Sequence, residues 1–78
     1  MSGPYHPKPG DRFETLSRAA FGGDPEAQFR VAESLRRGLF GLPVDEAQAR
    51  HWYERAATGG HPTAIFLLNN WRNRRHFV

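Results

Sequence analysis

One phrase of the chain returns almost unchanged thirty-seven residues later. The stretch AAFGGDPEAQF at residues 19–29 reappears as AATGGHPTAIF at residues 56–66. Between positions 18 and 29, eight of the twelve residues are identical to those thirty-seven further on: Arg18, Ala19, Ala20, Gly22, Gly23, Pro25, Ala27 and Phe29. A period of this length is typical of helical-pair solenoids, in which each unit buries its apolar face against the next. The repeat therefore predicts stacked helices.

Capping residues divide the chain into four predicted helices, at about 11–21, 25–37, 45–58 and 62–74. The four predicted starts share a residue that caps the first turn, with a partner that suits that turn: Asp11 with Glu14, Asp24 with Pro25, Asp45 with Gln48, and, as a weaker cap, His61 with Pro62. Three glycines, Gly22, Gly38 and Gly59, follow apolar runs. We expect them to adopt the left-handed conformation that closes a helix.

Each predicted helix carries one apolar face. The clearest stripe, in the third helix, follows the spacing i, i+3, i+4, i+7, i+8 and consists of Ala49, Trp52, Tyr53, Ala56 and Ala57. The second helix aligns Ala27, Val31 and Leu35, with Phe29 and Ala32 beside them, and the first aligns Phe13, Leu16 and Ala20. An all-α domain over residues 11–78 follows, preceded by a Pro/Gly-rich stretch at 1–10 that we expect to form a flexible tail.

Residues 23–66 resemble the Sel-one-like repeat, a relative of the tetratricopeptide repeat. The resemblance rests on Gly23, Asp24, Ala27, Phe29, Val31, Leu35, Gly38, Gly41, Pro43, Asp45, Ala49, Trp52, Tyr53, Ala56, Ala57, Gly60, His61 and Ala64. It implies a short right-handed α-solenoid of about four helices in antiparallel pairs. It also implies a protein–protein scaffold or adaptor, of a kind common in bacteria, without chemistry of its own.

The composition offers no sign of catalysis or of a bound cofactor. The chain has 78 residues and no cysteine, so neither disulfides nor cysteine-ligated zinc can staple the fold. The four histidines lack i, i+4 metal pairing, the glycine pairs lack a Walker-type lysine, and the serines lack a recognisable base. No signal peptide or membrane span is encoded, and we expect a cytoplasmic protein with no cofactor, no metal and no enzymatic activity.

The charge is uneven along the chain. Residues 1–54 hold seven Lys/Arg against eight Asp/Glu, whereas residues 55–78 hold four arginines and no acid. Arginines beside a tryptophan can bind an acidic protein surface, or can neutralise phosphates while the ring stacks on a base. Three arginines close to the end make a thin footprint for nucleic acid, which is therefore the weaker alternative.

The fourth helix differs from its repeat counterpart in a way that bears on function. Three polar residues of the second helix become apolar in the fourth: Gln28 becomes Ile65, Arg30 becomes Leu67 and Ser34 becomes Trp71. Two arrangements are compatible with this change, an inward-folded cap or an exposed anchor patch rimmed by Arg72, Arg74 and Arg75. The patch predicts a small protein-interaction module that binds an acidic or helical segment. A homodimer formed through the open ends of the stack is an alternative.

Overall fold

Four α-helices account for most of residues 12–74. The computed structural model describes residues 12–74, and the side chains of residues 12–71. The helices are α1 (Phe13–Phe21), α2 (Pro25–Arg37), α3 (Glu46–Thr58) and α4 (Pro62–Arg74), with a short 3-10 helix, Leu39–Gly41, between α2 and α3. The extensive packing joins α1 to α2, α2 to α3 and α3 to α4. The predicted all-α helical-repeat architecture is confirmed.

Three of the four predicted caps fall within this region and all three form. The Ala27 N–H donates to Asp24 Oδ1 at 3.0 Å, and the Gln48 N–H donates to Asp45 Oδ1 at 3.1 Å. At α4 the Ala64 N–H donates to His61 Nδ1 at 3.3 Å. The fourth cap, Asp11, lies outside the described residues. In the structure α1 begins at Phe13, and Arg12 occupies its N-cap position without a side-chain hydrogen bond.

The two double-glycine turns share one geometry, which corrects the sequence prediction. Gly22 and Gly59 have φ of −77° and −80°, so neither is left-handed; the positive φ belongs to Gly23 at 100° and Gly60 at 94°. After α1, the N–H groups of residues 23 and 24 donate to the carbonyls of residues 20 and 19, and the same pattern recurs thirty-seven residues later. This is a Schellman motif, in which the second glycine takes the left-handed position. Gly38, with φ of 72°, closes α2 as predicted.

Small residues and one central tyrosine form the core. The buried apolar side chains are Leu16, Ala20, Ala27, Phe29, Val31, Ala32, Ala49, Trp52, Tyr53, Ala56 and Ala64. Tyr53 is fully buried and its ring meets Phe29 edge-on, with centroids 5.6 Å apart. Arg36 Nε donates to the Tyr53 hydroxyl at 3.0 Å, so the buried oxygen has a partner. Burial raises the pKa of Tyr53, and the hydrogen bond to Tyr53 raises the pKa of Arg36.

Candidate functional site

The position of α4 is fixed by His61, which binds α2 and α4 at once. Its Nδ1 accepts the Ala64 N–H, so in the neutral ring the proton resides on Nε2. That nitrogen lies 2.6 Å from Glu26 Oε1 and donates to it. The ring also stacks on Phe29, with centroids 4.4 Å apart and planes 13° apart. Cap, hydrogen bond and stack together hold the start of α4 against α2.

One side of α4 packs onto α3. Ala64 is fully buried, and Leu67, Leu68 and Trp71 are partly buried against the core. The Trp71 ring meets Tyr53 edge-on at 5.2 Å. Tyr53 thus lies between an aromatic ring of α2 and one of α4. The inward side of α4 is therefore an extension of the core.

The opposite side of α4 carries large apolar side chains in solvent. Phe66 is 61% exposed and Ile65 is 41% exposed, and Asn69 is also exposed. We call these three residues the outer face of α4. Large contiguous apolar patches on a soluble protein mark interaction sites, so this face is a candidate for one.

The repeat shows what normally happens to this face. The counterparts of Ile65, Phe66 and Asn69 in α2 are Gln28, Phe29 and Ala32, and all three are buried, Phe29 at 8% exposure. The rings that cover Phe29 belong to Tyr53 of α3 and to His61. No helix of the described residues lies against α4 in the way that α3 lies against α2. The outer face is therefore the one that the next helix would cover in a longer stack.

The structure divides the predicted anchor residues between two environments. Ile65 is exposed, whereas Leu67 and Trp71 pack inward and are only partly accessible, because they continue the core across α3. Leu67 and Trp71 therefore follow the inward-folded arrangement, and of the three predicted anchors only Ile65 is exposed. Arg72 and Arg74 belong to α4, but their side chains and the whole of Arg75 lie outside the described part of the chain.

Two of the polar residues in the sequence comparison are not surface residues. Gln28 is 5% exposed and its Nε2 donates to the Ala20 carbonyl, and Ser34 is 2% exposed and its hydroxyl donates to the Arg30 carbonyl. The change from Ser34 to Trp71 is thus a change inside the packing rather than at a surface. Phe66, the most exposed of the α4 apolar side chains, was missed because it matches Phe29 and so signals only the repeat.

A second exposed apolar group lies in the connection between α2 and α3. Leu39, Phe40 and Val44 are all exposed, and the Phe40 ring contacts Phe13 at a centroid distance of 5.8 Å. Phe40 has a φ of 58°, which is uncommon for a residue other than glycine. The sequence analysis did not predict this conformation, because Phe40 lies in the connection between two predicted helices and helix periodicity gives no information there.

No group of three His, Cys, Asp or Glu side chains among residues 12–71 is placed to hold a metal ion. The ion pairs on this part of the surface are mainly helical i, i+3 or i, i+4 pairs, such as Arg30 with Glu26 and Arg50 with Glu54. None of the helices in residues 12–74 is both long and apolar enough to span a membrane.

Comparison with known families gives the same unit as the internal repeat. Residues 25–61 match the model of the Sel1 repeat, a segment that begins at the first residue of α2 and ends at the cap of α4. Residues 25–61 are a Sel1 repeat. Sel1 repeats are helical units of solenoid type that typically act in protein interaction rather than catalysis.

Two curated relatives match part of the chain. Both are called localization factor PodJL, from two strains of Caulobacter vibrioides, and each is 52% identical to the chain over 47 residues. The similarity covers 58% of this chain and 5% of the relatives, so the chain spans only a small part of their length. The search of solved structures found no match.

Proposed function

We propose that this chain, whose residues 25–61 match the Sel1 repeat, is a small non-catalytic protein-interaction module, an adaptor or regulator, with a binding surface centred on the outer face of α4. The observation that carries the proposal is the contrast between Phe66, which is 61% exposed, and its repeat counterpart Phe29, which is 8% exposed. Aromatic side chains are enriched in the buried centres of protein interfaces, where a few residues supply most of the binding energy.

The predicted arginines fit this proposal as a rim. Arg72 and Arg74 lie in the last turn of α4, and Arg75 follows them in the sequence. Arginines at the edge of an apolar patch steer an acidic partner and discriminate against others, while the buried anchors supply most of the affinity. The proposed partner is an acidic protein segment, and the proposed setting is the cytoplasm, with residues 11–78 acting as one domain.

A photo-crosslinking amino acid at position 66 tests the proposal in the full chain. Position 21 is the matched control, because Phe21 is also an exposed phenylalanine, at 70%. In lysate of the source organism, we expect a discrete protein to crosslink from position 66 and not from position 21, and to be competed by excess parent chain. Arg74→Glu in the position-66 chain should weaken capture of the same protein. Equal crosslinking from both positions would show that the outer face of α4 is not the binding surface.

A further inference from the structure

The internal repeat specifies the shape of what covers α4. By the repeat offset, α4 corresponds to α2. In the structure α3 covers α2, and the Tyr53 ring of α3 meets Phe29 with centroids 5.6 Å apart. This inference rests on the proposed function, in which α4 binds a protein. We infer that the segment bound on the outer face of α4 is an amphipathic α-helix from another protein. It lies on α4 as α3 lies on α2, with a large aromatic side chain against Phe66.

The chemistry of the outer face refines the partner helix. Phe66 keeps the aromatic ring that Phe29 offers to Tyr53, so the partner needs an aromatic residue there. Asn69 replaces Ala32, which is fully buried in α2. A buried amide requires a hydrogen-bond partner, so the bound helix presents a polar side chain opposite Asn69. An aromatic anchor with a polar residue one turn away is the expected signature.

The other open end of the stack argues against a second copy as the occupant. In a head-to-tail assembly the helix laid on α4 would be α1, the repeat counterpart of α3. In α3 the ring that lies on α2 is Tyr53, while Trp52 meets Phe21 of α1 edge-on at 5.1 Å. The counterparts in α1 are Leu16, which is only 4% exposed because it already packs in the core, and Thr15, which is exposed. A leucine that is already buried and a threonine offer Phe66 no accessible aromatic surface, so α1 is a poor cover for the outer face.

The probe for this inference is the chain's own α3, supplied as a peptide of residues 44–60. A staple between positions 47 and 51 holds it helical, since Ala47 and His51 are one turn apart and both exposed. Isotope-labelled full chain is titrated with the peptide and its amide NMR shifts are followed. We expect saturable shifts centred on residues 65, 66 and 69. Both the Tyr53→Ala peptide and the Phe66→Ala chain should bind about tenfold more weakly or worse, which is the scale of an aromatic hot spot.

Phe21→Ala is the matched control chain, because it removes an exposed phenylalanine from α1 and should leave peptide affinity unchanged. The inference is overturned if the stapled peptide shows no saturable binding at millimolar concentration, if its shifts centre on α1 or α2, or if Tyr53→Ala binds equally well. It is also overturned if sedimentation shows that the parent chain self-associates at tens of micromolar and that Phe66→Ala abolishes this, because the occupant is then a second copy.

These results separate the inference from the function on which it rests. If a protein crosslinks to position 66 through a segment that is not helical, the proposed interaction module is supported and the inference of a helical partner is refuted. If no protein crosslinks, the proposed function is refuted. The peptide titration still shows whether α4 can bind a helix in the way that α2 binds α3.

Discussion

A pair of glycine-to-alanine substitutions isolates the contact between the start of α2 and the end of α3. Gly22 and Gly59 occupy the same repeat position with nearly the same backbone, φ of −77° and −80°. A Cβ on Gly59 would lie 2.8 Å from Pro25 Cγ and 3.2 Å from Pro25 Cβ, whereas a Cβ on Gly22 would meet only carbonyls of its own helix, at 3.4 Å. The two substitutions therefore differ chiefly in the contact with Pro25.

The expected changes in the free energy of unfolding follow from two contributions of opposite sign. Replacing glycine by alanine at a compatible φ restricts the unfolded chain and stabilises by about 0.4–1 kcal/mol. We expect Gly22→Ala to show this gain. Gly59→Ala shares the gain but must displace the proline ring, and overpacking of this kind costs about 1–3 kcal/mol. Because the first contribution is common to both, Gly59→Ala should be less stable than Gly22→Ala by about 1–3 kcal/mol.

Urea unfolding of the full chain, followed by far-ultraviolet circular dichroism, measures both free energies. A double-mutant cycle with Pro25→Ala assigns the cost, since removing the ring should abolish most of the penalty of Gly59→Ala. Equal stabilisation by Gly22→Ala and Gly59→Ala, or an unchanged penalty in the Pro25→Ala background, would refute the argument that the contact of Gly59 with Pro25 limits the approach of α3 to α2.

Two further substitutions test the residues that join the helices. His61→Ala should lower the free energy of unfolding by about 1–2 kcal/mol, because it removes the cap and the stack on Phe29. His61→Asn can still cap α4, so it should recover part of that loss in urea unfolding. Equal losses for the two variants would exclude a capping role. Because burial raises the folded-state pKa of Tyr53, its contribution to stability is complete below the unfolded value of about 10 and falls as the pH rises above it. The parent should therefore lose more stability above pH 10 than Tyr53→Phe does, and parallel pH profiles would contradict this.

Helix number, starts and core could be predicted from the sequence because those signals are local. Asp24 and Asp45 cap through their own first turns, and the third-helix stripe needs only a 3.6-residue period. In each glycine pair, the left-handed conformation was assigned to the wrong glycine, because the sequence alone does not show which of two adjacent glycines adopts it. The Schellman hydrogen bonds decide it in favour of Gly23 and Gly60.

The candidate site was harder to predict because exposure depends on neighbours distant in sequence. Phe29 and Phe66 are identical in type and repeat position, yet within residues 12–74 only Phe29 has a following helix to cover it. Gln28 looked like a surface residue, but its amide is satisfied by a carbonyl eight residues earlier. Polarity in the sequence therefore misidentified a buried position, and a repeated phenylalanine concealed an exposed one.

The chain-like order of contacts, in which each helix packs mainly on the one before and the one after it, has a consequence for folding cooperativity. Such structures behave as a row of coupled units, so their terminal units unfold locally more often than their middle. Among the described residues, the central pair α2–α3 has neighbours on both sides, whereas α4 has one. Amide hydrogen exchange should thus be slowest in α2 and α3 and faster in α4, and a helix bound to α4 would slow its exchange by giving it a second neighbour.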